Sequence, residues 1–123
     1  MDFVYIASPW SEPVYAKACL RNSLLRGETA AAMALLFDGA LDLRVEIERA
    51  AGLQAALMAV RVCHRLAVYI EKGISHEMRR VISEARDCGC PLSFRHVSSP
   101  ALDLPGWVVG SPEPLAVIEG GKR

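Results

Sequence analysis

Short β-prone runs alternate with longer helix-prone segments along most of the sequence. The run FVYIAS, from Phe3 to Ser8, is rich in β-branched and aromatic residues and stops at Pro9, which is typical of a buried strand. The runs RLAVYIE, beginning at Arg65, and PLSFRHV, beginning at Pro91, have the same character. Since parallel strands need crossover connections, this alternation predicts an α/β fold with a mostly parallel sheet of four or five strands and helices on both faces.

Three segments between these runs are predicted to be helices. The first begins at Pro13, which suits a first helical turn, and ends at Gly27. The second is the longest and extends from about Leu43 to His64. The third, SHEMRRVISEARDC, is ended by Gly89.

The segment TAAAMALLF, from Thr29 to Phe37, is ambiguous. Its alanines and leucines favour a helix, whereas its short length and the preceding Gly27 favour a buried strand. Because strands and helices alternate along the rest of the chain, we predict that this segment is a strand.

By composition the chain divides into an α/β domain, residues 1–97, and an extension, residues 98–123. A chain of 123 residues can bury a core of its own without disulfides or metals. The extension contains Pro100, Pro105, Pro112 and Pro114. Its apolar stretches WVVG and LAVIEGG are therefore predicted to be edge strands or an extended arm, not part of the wound core.

The charge balance restricts the class of partner. The chain has 14 basic and 14 acidic residues, and neither sign forms a long block, which argues against binding a nucleic acid polymer. The longest apolar runs, AAAMALLF and AALMAV, are too short to span a bilayer, and the first residues do not resemble a signal peptide. We therefore expect a cytoplasmic protein without a membrane partner.

Four cysteines, Cys19, Cys63, Cys88 and Cys90, leave disulfides, a zinc site and free thiols as alternatives. The expected cytoplasmic location argues for free thiols. The CGC spacing is too short for a zinc knuckle, which prefers two residues between its cysteines, and His64 does not supply a second knuckle. We therefore predict no metal site and no cofactor.

Three loops are expected to meet at one edge of the sheet: SPW, DGALD and EKGIS, each after a strand. Ligands of open parallel sheets collect at the carboxyl ends of the strands, near the point where the strand order reverses. Gly73 permits a sharp turn, and Ser75 offers a hydroxyl at a helix start, which either holds an anion or only caps the helix. Ser8 either contacts a ligand or satisfies the chain before Pro9.

Four segments carry a resemblance to a known family: YIASPW, YAKACLRNSLLRGE, ERAAGLQAAL and VYIEKGISHEMRRVISEA. In colinear order over residues 3–97, they resemble a small-protein branch of the nucleoside 2-deoxyribosyltransferase-like superfamily, often encoded by bacteria and their phages. The resemblance implies a flavodoxin-like three-layer sandwich. In catalytic relatives it implies cleavage or transfer at the N-glycosidic bond of a nucleoside or nucleotide.

The chain departs from this family at the residues that carry the chemistry. Where catalytic relatives have a glutamate nucleophile, this chain has Val81, and where they often have a histidine it has Ala34. Valine can neither form a covalent glycosyl intermediate nor act as an acid or base. Glu77 stands where relatives often have glycine, and it either replaces the nucleophile or stabilises the helix dipole. Glu71 stands where relatives commonly keep an aspartate, and it either bonds sugar hydroxyls or is a solvated carboxylate.

The pair Glu48 and Arg49 also matches the family branch. These side chains either reach a ligand from the loop after the second strand or lock that loop by an ion pair. His76 follows the helix cap and either donates to a phosphate or is merely exposed, whereas His64 is expected to be structural, at the opposite rim of the sheet.

Two functions stay open. One is an N-glycosidase or deoxyribosyltransferase in which Glu77 or Glu71 supplies the carboxylate. The other is a catalytically inactive nucleotide-binding or assembly module. In both, the partner is a small nucleoside or nucleotide. The candidate binding residues are Ser8, Pro9, Glu48, Arg49, Gly73, Ser75 and His76.

A homodimer or larger symmetric assembly is also expected. The long helix carries alanines, Gly52, Leu53 and Met58, which present more apolar surface than one sheet face covers. A glycine within a helix costs about 1 kcal/mol relative to alanine, so Gly52 indicates close packing against a neighbouring element or subunit.

Overall fold

The computed structural model describes residues 2–98 and shows an α/β fold, a flavodoxin-like three-layer sandwich around a four-stranded parallel sheet. This confirms the predicted fold class. The strands are β1 (Phe3–Ala7), β2 (Thr29–Ala32), β3 (Arg65–Tyr69) and β4 (Leu92–Arg95). The helices are α1 (Pro13–Leu25), α2 (Met33–Phe37), α3 (Glu46–Val62) and α4 (His76–Cys88).

The strand order of the sheet is β2-β1-β3-β4. From β1 the chain moves outward to β2, and it then crosses back to the other side of β1 to form β3 and β4. The order therefore reverses between β1 and β3, which pair in parallel with Ala7 opposite Val68. The loops that follow these two strands start side by side, at the place where open α/β sheets bind ligands.

The two faces of the sheet are covered by different helices. Alternate residues such as Tyr5 and Val68 belong to a core formed with α3 and α4. Ile6 and Tyr69 belong to a second core formed with α1. At the amino-terminal rim His64 Nδ1 accepts a hydrogen bond of 2.9 Å from the Phe3 amide. His64 is therefore structural, as predicted.

The segment predicted as one strand from Thr29 to Phe37 is half strand and half helix. The prediction is right for Thr29–Ala32 and wrong for Met33–Phe37, which forms α2. The strand consists of only a threonine and three alanines, which pair with β1. Beyond this pairing, the methionine, alanine and leucines that follow favour a helix. The turn of helix brings Phe37 into the core, where its ring packs edge-on against Trp10 at 4.9 Å.

The long helix is shorter than predicted, since residues 43–45 and 63–64 lie outside α3. Gly52 is buried, and a Cβ placed there would lie 3.3 Å from Leu41 Cδ1 and 3.4 Å from Phe37 Cε2. The close packing inferred for Gly52 is therefore made with the same chain, not with another subunit. Met58, in contrast, is exposed.

All four cysteines are free thiols. Cys63 Sγ lies 3.5 Å from Cys90 Sγ. Burial and the neighbouring Cys90 thiol raise the pKa of Cys63 to about 12, so this thiol stays protonated. Within residues 2–98, no group of three histidine, cysteine or acidic side chains is placed to hold a metal ion.

Residues 99–123 of the predicted extension, which include the stretches WVVG and LAVIEGG, lie outside the described residues. In the part of the chain that is described, every helix is too short or too polar to cross a membrane.

Candidate functional site

The loop after β1 places an unpartnered hydroxyl at the carboxyl edge of the sheet. Ser8 follows β1 directly and is only 2% exposed, yet its Oγ has no hydrogen-bond partner among the described residues. Pro9 is also buried, and its carbonyl accepts a bond of 3.2 Å from the Glu12 amide. A buried polar group without a partner costs about 1–3 kcal/mol, so Ser8 is a candidate ligand contact.

The turn before α4 combines a left-handed glycine with a helix cap. Gly73 has φ +87°, and nothing lies within 4 Å of the place where a Cβ would be, so the backbone conformation alone favours glycine there. Ser75 Oγ accepts from the Met78 amide at 3.2 Å, and Met78 Sδ accepts from the Ser75 amide at 3.4 Å. The Ser75 hydroxyl therefore serves as the cap, while the first-turn amides of His76 and Glu77 have no intrahelical acceptor.

An ion pair joins the starts of α3 and α4. Arg49 Nε lies 3.1 Å from Glu77 Oε2, and the side chains of Arg49 and Glu77 are 48% and 10% exposed. Arg49 Nη1 also donates to the Leu43 carbonyl at 2.9 Å. Glu77 is thus a mostly buried carboxylate whose charge is matched by an arginine at the surface.

The loop after α2 is locked by Glu48 and Arg49 together. Glu48 Oε1 accepts from the Asp42 amide at 2.8 Å, close to where Arg49 holds Leu43. Both side chains therefore hold this loop, as one of the two interpretations of the pair predicts. The two side chains bind different partners and not each other.

Glu71 is fully engaged by hydrogen bonds. Its Oε1 accepts from Tyr15 Oη at 3.0 Å and from the Val97 amide at 2.8 Å, and its Oε2 accepts from the amide and hydroxyl of Ser98. Burial acts to raise the pKa of Glu71, but these bonds outweigh it and hold the pKa below its usual range. The carboxylate therefore fastens the segment that follows β4 to α1.

The positions where catalytic relatives are expected to have polar groups lie in packed surroundings. Val81 is 2% exposed and belongs to the core between the sheet and α4. Ala34 is buried in α2, just after β2. No carboxylate or imidazole is supplied at either place.

A buried polar network on the α1 face was not predicted. Arg95 is 3% exposed in its side chain and donates from Nη1 and Nη2 to the two oxygens of Glu28, both at 2.7 Å. Tyr69 Oη donates to Asn22 Oδ1 at 2.7 Å, and Arg26 Nε donates to the same oxygen at 2.9 Å. The only local signal was the position of Arg95 in the short strand LSFR. The alternation of that strand is equally compatible with a buried and with a solvent-facing arginine.

The two candidate carboxylates are held from opposite faces of the sheet. Glu71 is bound by Tyr15 of α1, and Glu77 is bound by Arg49 of α3. Ser8 lies on the loop of the central strand β1, at the edge where both helices begin. The site can therefore offer a hydroxyl, helix-start amides and one ion-paired carboxylate, but the two carboxylates do not form a pair.

A comparison with curated proteins gives no match. A family model does match residues 2–95, a span that contains the eight described elements and every candidate site residue. The chain therefore belongs to the family described as Domain of unknown function (DUF7768).

Proposed function

We propose that this protein binds a nucleoside or nucleotide at the carboxyl edge of its sheet, between the loops that follow β1 and β3. The observation that carries the proposal is the Ser8 hydroxyl, buried and without a partner where the strand order reverses. The resemblance to the nucleoside 2-deoxyribosyltransferase-like superfamily supplies the ligand class.

The start of α4 suits the sugar-phosphate part of such a ligand. The amides of His76 and Glu77 lack intrahelical acceptors, and the positive end of the helix dipole favours an anion there. Ser75 and Gly73 contribute indirectly, because they fix the first turn of α4. Glu48 and Arg49 fix the neighbouring loop in the same way.

The positions of the two candidate carboxylates favour binding of the ligand without cleavage of its glycosidic bond. Enzymes that retain configuration at the glycosidic carbon use two carboxyl groups about 5–5.5 Å apart. In this chain Glu71 is occupied by Tyr15, Val97 and Ser98, and Glu77 is held from the other face of the sheet.

A single observation favours N-glycosidase or deoxyribosyltransferase activity as a second candidate. Glu77 is mostly buried, and Arg49 lies 3.1 Å from its carboxylate. The ion pair orients a carboxylate, the group that acts as the nucleophile in glycosidic bond cleavage with retention. Glu77 is the residue through which such an activity would act.

The cytoplasm is the proposed location. Four free thiols, with the pKa of Cys63 raised by burial, suit a reducing compartment. Fractionation of cells that express the full chain tests this proposal.

Replacing Ser8 by alanine is expected to change ligand binding and stability in opposite directions. With a panel of nucleosides and their 5′-monophosphates, calorimetry of the wild type should give saturable binding for at least one compound. Ser8→Ala should weaken that binding about 5- to 30-fold, since it removes one hydrogen bond. Without ligand, the same change should raise the free energy of unfolding by about 1 kcal/mol, since an unpartnered buried hydroxyl disappears.

Ser11→Ala is the matched control, because Ser11 is exposed in the same loop. It should leave affinity and stability unchanged. Absence of saturable binding across the panel contradicts the proposed function, and equal affinity of the wild type and Ser8→Ala contradicts the role of Ser8.

Glu77→Gln is expected to abolish any release of free base from the same panel. The change removes charge and nucleophilicity and keeps the shape of the side chain. Chromatography of the reaction mixture measures the base, and Glu84→Gln on the outer part of α4 is the control that should retain turnover. Unchanged turnover in Glu77→Gln would move the assignment to Glu71, and no release by the wild type would leave the binding function alone.

A further inference from the structure

An apolar stripe lies along the outer face of α3. Its members are all exposed and recur at helical spacing, so they share one side of the helix. They are Ile47, Ala51, Ala55, Met58 and Val62. The exposed fractions of Ile47, Met58 and Val62 are 76%, 54% and 72%. The opposite side of α3 is the core side, with Gly52, Ala56 and Val60 buried.

The α3 stripe is not needed by the fold of one chain. The core side of α3 already packs on the sheet and on α4. Single exposed apolar residues are ordinary, but a contiguous exposed stripe of this kind marks an interaction surface.

The stripe matches a second copy of itself when the two helices run antiparallel. Centred between Gln54 and Ala55, such a pair places Ile47 opposite Val62 of the partner subunit. It also places Ala51 opposite Met58 of the partner subunit, so that a small side chain receives a large one. A parallel pair would instead set Met58 against Met58 and Ala51 against Ala51.

The charges of α3 favour the same orientation. The first turn carries Glu46 and Glu48, and the last turn carries Arg61. In an antiparallel pair the acidic first turn of one helix runs alongside the last turn of the partner's helix, which carries the arginine, and the two helix dipoles oppose each other. Arg61 also pairs with Glu84 of α4 in its own chain, which holds its guanidinium on the α4 side of α3.

We propose that the α3 stripe is the docking surface for a second copy of this chain, in a two-fold antiparallel pair of α3 helices. The same surface is used by both copies, so the assembly closes as a dimer. The proposal is independent of the proposed ligand, because it rests on α3 and not on the carboxyl edge of the sheet.

Sedimentation velocity of the full chain over a concentration series tests the docking surface. The wild type should dimerise, and Met58→Glu should raise the dimer dissociation constant at least about tenfold, since a charge would be desolvated in the interface. Val14→Glu is the control, because Val14 is also an exposed apolar residue but lies on α1. It should leave the constant unchanged. A wild type that stays monomeric, or a dimer that tolerates Met58→Glu, overturns the proposal.

Cysteine cross-linking tests the orientation. In a Cys88→Ser background, which removes the exposed thiol, Gln54→Cys should form a disulfide between copies because residue 54 lies near the two-fold axis. Ile47→Cys should not, because the two copies of residue 47 would be about 22 Å apart along the helices. Cross-linking through Ile47→Cys, or none through Gln54→Cys in a dimeric sample, overturns the antiparallel pairing.

Discussion

Replacing Arg95 by methionine is expected to lower the free energy of unfolding by about 3–5 kcal/mol. The guanidinium is almost completely buried and holds both oxygens of Glu28 at 2.7 Å. Methionine fills similar volume, so the loss comes from leaving the Glu28 carboxylate partly buried with only the Ser23 hydroxyl at 2.6 Å as a partner. Urea denaturation of wild type and variant measures the difference.

Two further variants separate this effect from a general loss of charge. Arg61→Met removes a surface ion pair with Glu84 and should cost less than about 1 kcal/mol. Adding Glu28→Leu to Arg95→Met should recover part of the loss, since no unmatched charge remains. If Arg95→Met costs no more than Arg61→Met, the buried pair does not contribute as described.

The effect of Arg95→Met should depend on pH. Burial acts to raise the pKa of Glu28, but hydrogen bonding and charge from Arg95 outweigh it and hold the pKa below its usual range. A carboxyl whose pKa is lower in the folded state stabilises the fold above its unfolded pKa, about 4.3, and this contribution is lost as the pH falls through the folded value. The difference between wild type and variant should therefore shrink below about pH 4.

Features fixed by short-range sequence were predictable. Gly73 and Ser75 form the turn and cap that their local pattern indicates, and Gly89 ends α4 with φ +77°. The parallel arrangement of the strands follows from the alternation of strands and helices, whereas the strand order β2-β1-β3-β4 was not predicted. The segment after Ala32 was mispredicted because alanine and leucine fit either element, and only the end of the pairing with β1 decides between them.

Features that depend on distant partners were not predictable. The role of Glu71 is set by Tyr15, which lies 56 residues away in the sequence. Arg95 and Glu28 are 67 residues apart, and nothing near either residue indicates that the other will reach it. The candidate carboxylates could thus be located at one edge of the sheet from sequence, but their partners could not.

Replacing Val81 by glutamate is expected to lower the free energy of unfolding at neutral pH by more than about 3 kcal/mol, without producing base release. This change restores the residue type that the resemblance assigns to a glycosidic nucleophile. Val81, however, is 2% exposed in the core between α4 and the sheet. An introduced carboxyl would be desolvated there, and its pKa would rise above the unfolded value.

The pH dependence identifies the cause of that loss. A carboxyl whose pKa is raised in the folded state destabilises the fold increasingly as the pH rises above its unfolded pKa, about 4.3. The reason is that the carboxyl loses its proton at a lower pH in the unfolded chain than in the folded chain. Val81→Gln has nearly the same shape as Val81→Glu and no charge, so its deficit should not depend on this titration. Urea denaturation of both variants between about pH 4 and 8 makes the comparison. If Val81→Glu is as stable as the wild type at neutral pH, position 81 is open to the cleft. If that variant releases base, the nucleophile is the only group that this chain lacks for cleavage of a glycosidic bond.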